Sequence, residues 1–172
     1  MNNYDQENAQ CFVYTQKEGL LSAAAHDLKI RVSRFAIQID DASVRGSFDP
    51  SSLQVICATH HGIDAPTALS SRDRATIEEN ILGEVLHATA FPVIEFTSDA
   101  VVRTPDGSRI DGQLHLHGTT RPLSVFAKQS IECEVVLDQH DFGIKPYSAM
   151  LGSLRVQPHV RVVLKLVPPA KP

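Results

Sequence analysis

Between Ile110 and Leu123 the chain alternates with period two and then breaks at a glycine. Ile110, Leu114 and Leu116 share one parity; Gln113, His115 and His117 share the other. Such alternation specifies a strand with one apolar and one polar face, because successive side chains point to opposite sides. Gly118 and the run Thr119-Thr120-Arg121-Pro122 supply a turn into a second strand. A strand of this kind buries only one face, so it requires a sheet around it. It also raises a chemical question, since two imidazoles stand opposite the leucines.

The same period recurs along the chain. Residues 11–14, 44–48, 53–59, 93–98, 123–127, 131–137 and 160–167 read as strands, with Leu53, Val55 and Cys57 on one face of theirs. A run of small residues at 21–25 leads into His26. Leu28, Ile30 and Val32 then hold one parity, after which the apolar positions flip to Phe35, Ile37 and Ile39. A flip needs a bulge or a sharp bend, because one extra residue turns every later side chain over. Long bent strands suit a curled or closed sheet. Only residues 71–87 have helical spacing, with Ile77, Ile81, Leu82 and Val85 on one stripe. Ser70 or Ser71 caps this helix, Asp73 sits in its first turn, and it packs on a sheet or closes a barrel end. One helix among many short strands predicts an antiparallel all-β barrel or sandwich, a single domain over 1–172.

Composition removes several function classes. A net charge of -4 argues against a nucleic-acid partner held through phosphates. No apolar run is long enough to span a membrane as a helix. The opening residues carry neither a basic nor an apolar region, which leads us to expect no signal peptide and a cytoplasmic protein. Cys11, Cys57 and Cys133 are widely spaced and form no C-x-x-C pair, so they read as buried free thiols. His115-x-His117 resembles part of the cupin metal motif and would chelate a metal if a third ligand, such as His26, arrived. The acid that motif needs after the second histidine is replaced by Arg121 and Pro122, so solvent-facing imidazoles are the simpler expectation. His26 and Asp27 are adjacent, which sends them to opposite faces. Lys145-Pro146-Tyr147-Ser148 is not a Ser-x-x-Lys arrangement, and glycine-rich phosphate loops are absent. No enzyme signature remains. A histidine-metal enzyme or metal-binding protein using His115 and His117 stands as the alternative function.

The pieces together resemble the YceI-like family. The resemblance is carried by His26-Asp27-Leu28, Asp49 to Val55, Phe91-Pro92-x-Ile94-x-Phe96-x-Ser98, Gly112-x-Leu114-x-Leu116-x-Gly118-Thr119-x-x-Pro122 and Phe142-Gly143-Ile144. It runs from about residue 10 to 167 in order, and the segment from Lys145 to Gly152 is similar to a branch without a secretion signal. The resemblance implies a lipocalin-like antiparallel β-barrel with one short helix between strands. It further implies a carrier that holds an isoprenoid lipid, a polyprenyl chain or a quinone tail, in an apolar cavity, with no other cofactor and no metal. By parity and size the inward candidates are Leu28, Ile30, Phe48, Ile94, Phe96, Leu114, Leu116, Phe126 and Phe142. The partner expected is a hydrophobic small molecule, and homodimerisation is the one assembly left open. A third reading is an interaction domain that keeps the fold without a ligand, marked by a collapsed interior and an exposed apolar patch.

Overall fold

The computed structural model describes residues 1–19, 26–128 and 132–166. The small-residue run at 21–25, and the expected strand ends Ile131 and Val167, lie outside them. Five strands open the chain: β1 (Asn2–Asp5), β2 (Ala9–Thr15), β3 (Lys17–Glu18), β4 (Asp27–Val32) and β5 (Phe35–Ile39). Next come β6 (Val44–Phe48), β7 (Leu53–His60), β8 (Ile63–Ala65) and the helix α1 (Ser71–Asn80). Four long strands follow: β9 (Ile94–Thr104), β10 (Gly107–Leu116), β11 (Thr119–Lys128) and β12 (Glu132–Asp138). The chain ends on β13 (Ser148–Ala149), β14 (Leu154–Val156) and β15 (His159–Leu166).

All pairings are antiparallel, and the main sheet has twelve strands in the order β1-β5-β6-β9-β10-β11-β12-β15-β2-β4-β7-β8. The fold class is therefore all-β, as the alternation predicts. The ladder is open, with β1 and β8 as its edges. Its two halves are nevertheless joined by the chain, because β5 follows β4 across Ser33 and Arg34 alone. One bent strand, residues 27–39, thus belongs to both halves, and the sheet must curl. Tyr4 and Ile37 from one half share a buried cluster with Cys11 and Val32 from the other.

The predicted parity flip is this corner. Ser33 donates both its backbone N–H (3.2 Å) and its hydroxyl (2.9 Å) to the Ser52 carbonyl. The Ser52 hydroxyl accepts from the Arg34 N–H at 2.9 Å and donates to the Asp49 carbonyl at 2.7 Å. Arg34 also pairs with the Asp49 carboxylate at 2.8 Å. Orphaned backbone groups at the bend are satisfied in this way, which is what a buried corner needs.

A second irregularity sets the helix. Lys29 faces Cys57 but Ile30 faces Val55, so Ile56 is an extra residue in β7. This bulge corrects the expectation for that strand: Val55 packs with Leu28, Ile30 and Ala58, while Cys57 leaves their cluster. The helix then clamps the bulge. Glu78 accepts from the Val55 N–H at 2.6 Å, and the Arg74 guanidinium donates to the Ile56 carbonyl at 3.3 Å. Ser70 and Asp73 form a reciprocal capping box at the start of α1. The helix continues through a π-turn at Ile81–Val85, closed by the Leu86 N–H on the Ile81 carbonyl at 2.9 Å. No helix among the described residues is long and apolar enough to cross a membrane.

Candidate ligand cavity

The curled sheet wraps around a partly open cavity of about 480 Å³. Its wall repeats the period-two code strand by strand. Cys11, Val13 and Thr15 face it from β2, Leu28, Ile30 and Val32 from β4, and Val160, Val162, Leu164 and Leu166 from β15. Phe96 and Leu114, partners in the β9–β10 register, lie on the opposite wall. The helical stripe contributes Ile77, Ile81, Val85 and Leu86. Leu86 takes the place expected for Leu82, because the π-turn inserts a residue and shifts the face.

Eight of the nine inward candidates line this space: Leu28, Ile30, Phe48, Ile94, Phe96, Leu114, Leu116 and Phe142. Phe126 does not. It lies on the outer surface at 43% exposure, while Leu123, Val125 and Ala127 face the cavity. The reason is strand parity: in β11 the smaller residues hold the inward positions, and side-chain size was a misleading guide.

Cavity polarity is uneven. At one end β2 finishes at Thr15, and β3 pairs with β14 through Lys17 and Val156. His26 precedes β4 at that end, since Leu28 faces Thr15 in register. Asn80, at the end of α1, donates to the Tyr147 hydroxyl at 3.3 Å, and the Tyr147 carbonyl accepts from the Val156 N–H. Gln139, 8% exposed, donates its amide to the Gln157 carbonyl, and the Gln157 N–H donates to the Gln16 carbonyl. These polar side chains all line the cavity together with Arg155, which pairs with Glu18 at 3.6 Å. Sequence reasoning did not assemble them: His26 was singled out as a third metal ligand, and Thr15, Asn80, Gln139 and Arg155 were not named.

The far end is mainly aliphatic and sulfurous, with Asp49, paired to Arg34, at its corner. Cys11 and Cys133 both face Leu164 in register, so they stand two strands apart, about 10 Å. Burial pushes the Cys11 thiol up to about 12, with Cys133 adding to the rise. Cys133 is pushed up to about 11, again by burial. Both are neutral thiols, suited to an apolar wall rather than to nucleophilic chemistry.

The imidazoles of β10 do not converge. The strand ends at Leu116, and His117 lies in the turn with a left-handed backbone (φ 51°). That breaks the alternation which would have placed it beside His115. His115 Nδ1 is 3.0 Å from the Thr120 hydroxyl, whereas His117 packs against Phe91 with ring centroids 4.2 Å apart. Gly118 is required here: its φ is +73°, and a Cβ would come within 2.8 Å of the Phe91 ring. Among the described residues, no three His, Cys, Asp or Glu side chains are grouped to hold a metal ion.

Comparison with known proteins agrees with this geometry. The chain is similar to the crystal structure of Burkholderia cenocepacia BcnA, with a TM-score of 0.66 and 14% identity, over 96% of this chain and 99% of that one. It is also similar to a polyisoprenoid binding domain from Saccharophagus degradans implicated in plant cell wall breakdown (TM-score 0.56, 11% identity, 93% and 94% covered). A third similar structure is the YCEI protein of Campylobacter jejuni (TM-score 0.51, 10% identity, 78% and 82% covered). At such identities these likenesses show the fold. No curated protein matches the sequence. The model of the YceI-like domain matches residues 15–167, nearly the whole chain, and the protein belongs to the YceI-like domain family.

Proposed function

We propose that this protein binds and carries one isoprenoid-type lipid, a polyprenyl chain or the tail of a quinone, and that it is a binding protein rather than an enzyme. The observation that carries the reading is a cavity of about 480 Å³ walled by aliphatic side chains from strands all round the sheet. That volume falls within the roughly 300–1,000 Å³ range of small-molecule sites. The polyisoprenoid binding domain among the similar structures supports the isoprenoid class.

Magnitudes define what the cavity supplies. At about 30 Å³ for each water-sized group of atoms, it takes about fifteen carbons, three isoprene units. Removing those from water is worth about 12 kcal/mol at ~0.8 kcal/mol per carbon. Association and ordering cost about 4–15 kcal/mol. The tail therefore supplies most of the driving force but leaves a thin margin, and polar contacts decide the affinity.

The test is direct. Protein purified without detergent, then extracted with organic solvent and analysed by mass spectrometry, should release an isoprenoid lipid in near-stoichiometric amount. Release of no lipid, together with failure of the delipidated protein to bind any prenyl chain, would reject the carrier role while leaving the fold untouched.

A further inference from the structure

Two polar atoms along the cavity are left unserved. Thr15 Oγ1 and His26 Nδ1 are buried without a hydrogen-bond partner among the described residues, and both side chains line the cavity at the same end. Buried polar groups are nearly always paired, so each orphan calls for an explanation. Each of their polar neighbours already has a partner: the Asn80 amide donates to the Tyr147 hydroxyl, the Gln139 amide donates to the Gln157 carbonyl, and Arg155 pairs with Glu18. Among the described residues that line the cavity, the buried polar atoms without a partner are those of Thr15 and His26, one on β2 and one at the entry to β4.

We propose that the Thr15–His26 end of the cavity seats the ligand's head group, and that this head is an uncharged oxygen, an alcohol, a phenol or a reduced quinone, that donates and accepts hydrogen bonds. The inference rests on the carrier reading above and adds the ligand's orientation and head chemistry. A threonine hydroxyl both donates and accepts, and a neutral imidazole nitrogen does one or the other, so together they match a hydroxyl. Local charge argues against a phosphate. Arg155 is already paired with Glu18 at 3.6 Å, and the Asp27 carboxylate, which accepts from the Lys17 backbone N–H at 2.9 Å, adds negative charge near this end. The opposite end offers aliphatic carbons and thiols, which fit the tail, and its one carboxylate, Asp49, is already held by Arg34 and Ser51.

Binding of three matched probes to the delipidated protein tests this: farnesol, farnesyl phosphate and the hydrocarbon farnesane. Farnesol should bind at least about fivefold more tightly than farnesane, as one or two net hydrogen bonds allow. Thr15→Val, which keeps the shape and removes the hydroxyl, should bring farnesol close to the farnesane affinity and leave farnesane unchanged. Thr15→Ser should restore the preference. His26→Phe provides the same comparison if the Thr15 variants do not fold. Equal binding of farnesol and farnesane by the unaltered protein, or a preference that survives both Thr15→Val and His26→Phe, overturns the head-group site. Tightest binding by farnesyl phosphate overturns the uncharged head. Failure of all three probes to bind instead rejects the cavity as a lipid site, a separate result that removes the foundation of this inference.

Discussion

Ser52 and Thr15 are hydroxyl residues at opposite ends of the same bent wall, and they are treated in opposite ways. Ser52, 3% exposed, spends every hydrogen-bonding group on the Ser33–Arg34 corner. Thr15, at the other end of the β2–β4 pair, has a buried hydroxyl with no partner among the described residues. One end of the cavity is finished as architecture; the other retains unused polar capacity. A buried hydroxyl that makes its bonds contributes to stability, whereas an orphan detracts from it until something binds.

The comparison breaks most visibly in the middle, between the two ends. Val135 faces Val162, which faces Val13, so it stands midway along the wall. Val135→Phe should fill the passage and weaken prenyl-chain binding by about 100-fold or more, since displacing one isoprene unit forfeits about 3–4 kcal/mol. The melting temperature should hold or rise, because filling a void commonly stabilises. Titration of the delipidated variant reads the first, and calorimetry the second.

Next in size is the contrast in stability. Ser52→Ala strands the Arg34 N–H and removes one of the two bonds to the Asp49 carbonyl, and should cost about 1–3 kcal/mol, a fall of several degrees in melting temperature. The ligand-free Thr15→Val variant should lose nothing. Equal losses in both would mean that the two ends are alike.

A smaller effect follows from the thiols at the aliphatic end. The folded pKa of Cys11 is raised to about 12 and that of Cys133 to about 11. A raised value means that the unfolded chain releases its proton first. The stability from the neutral thiols is therefore complete below about pH 8.5 and is lost as pH rises toward the folded values. Urea midpoints should fall by the equivalent of on the order of 2 kcal/mol between pH 8 and pH 10, and Cys11→Ala should flatten the slope. Least of all, Phe126→Ser should change neither binding nor stability measurably, because that ring lies on the outer surface.

Much of the architecture was legible because a one-sided strand advertises its burial. The flip from Val32 to Phe35 called for a bulge or a sharp bend, and the structure has the bend. Side chains that obey simple parity, such as Leu114 and Phe96, were placed on the right wall. Errors arose where the chain departs from the ideal period: the bulge at Ile56 moved Cys57, the π-turn exchanged Leu82 for Leu86, and the left-handed turn removed His117 from the strand. The cavity itself left no mark, since missing volume has no residue to signal it. Its polar end was equally hidden, because Asn80, Gln139 and Tyr147 meet only through tertiary contacts.

The corner at Ser33 and Arg34 carries one last consequence. Elsewhere the girth of the wall is set by ladders, which cannot slip by one step without turning a whole strand inside out. At this buckle the hoop is fastened by the polypeptide itself, and the clasp is a handful of bonds from Ser52 and Asp49. A cut in the backbone there would release the belt at a single point while leaving each neighbouring ladder intact.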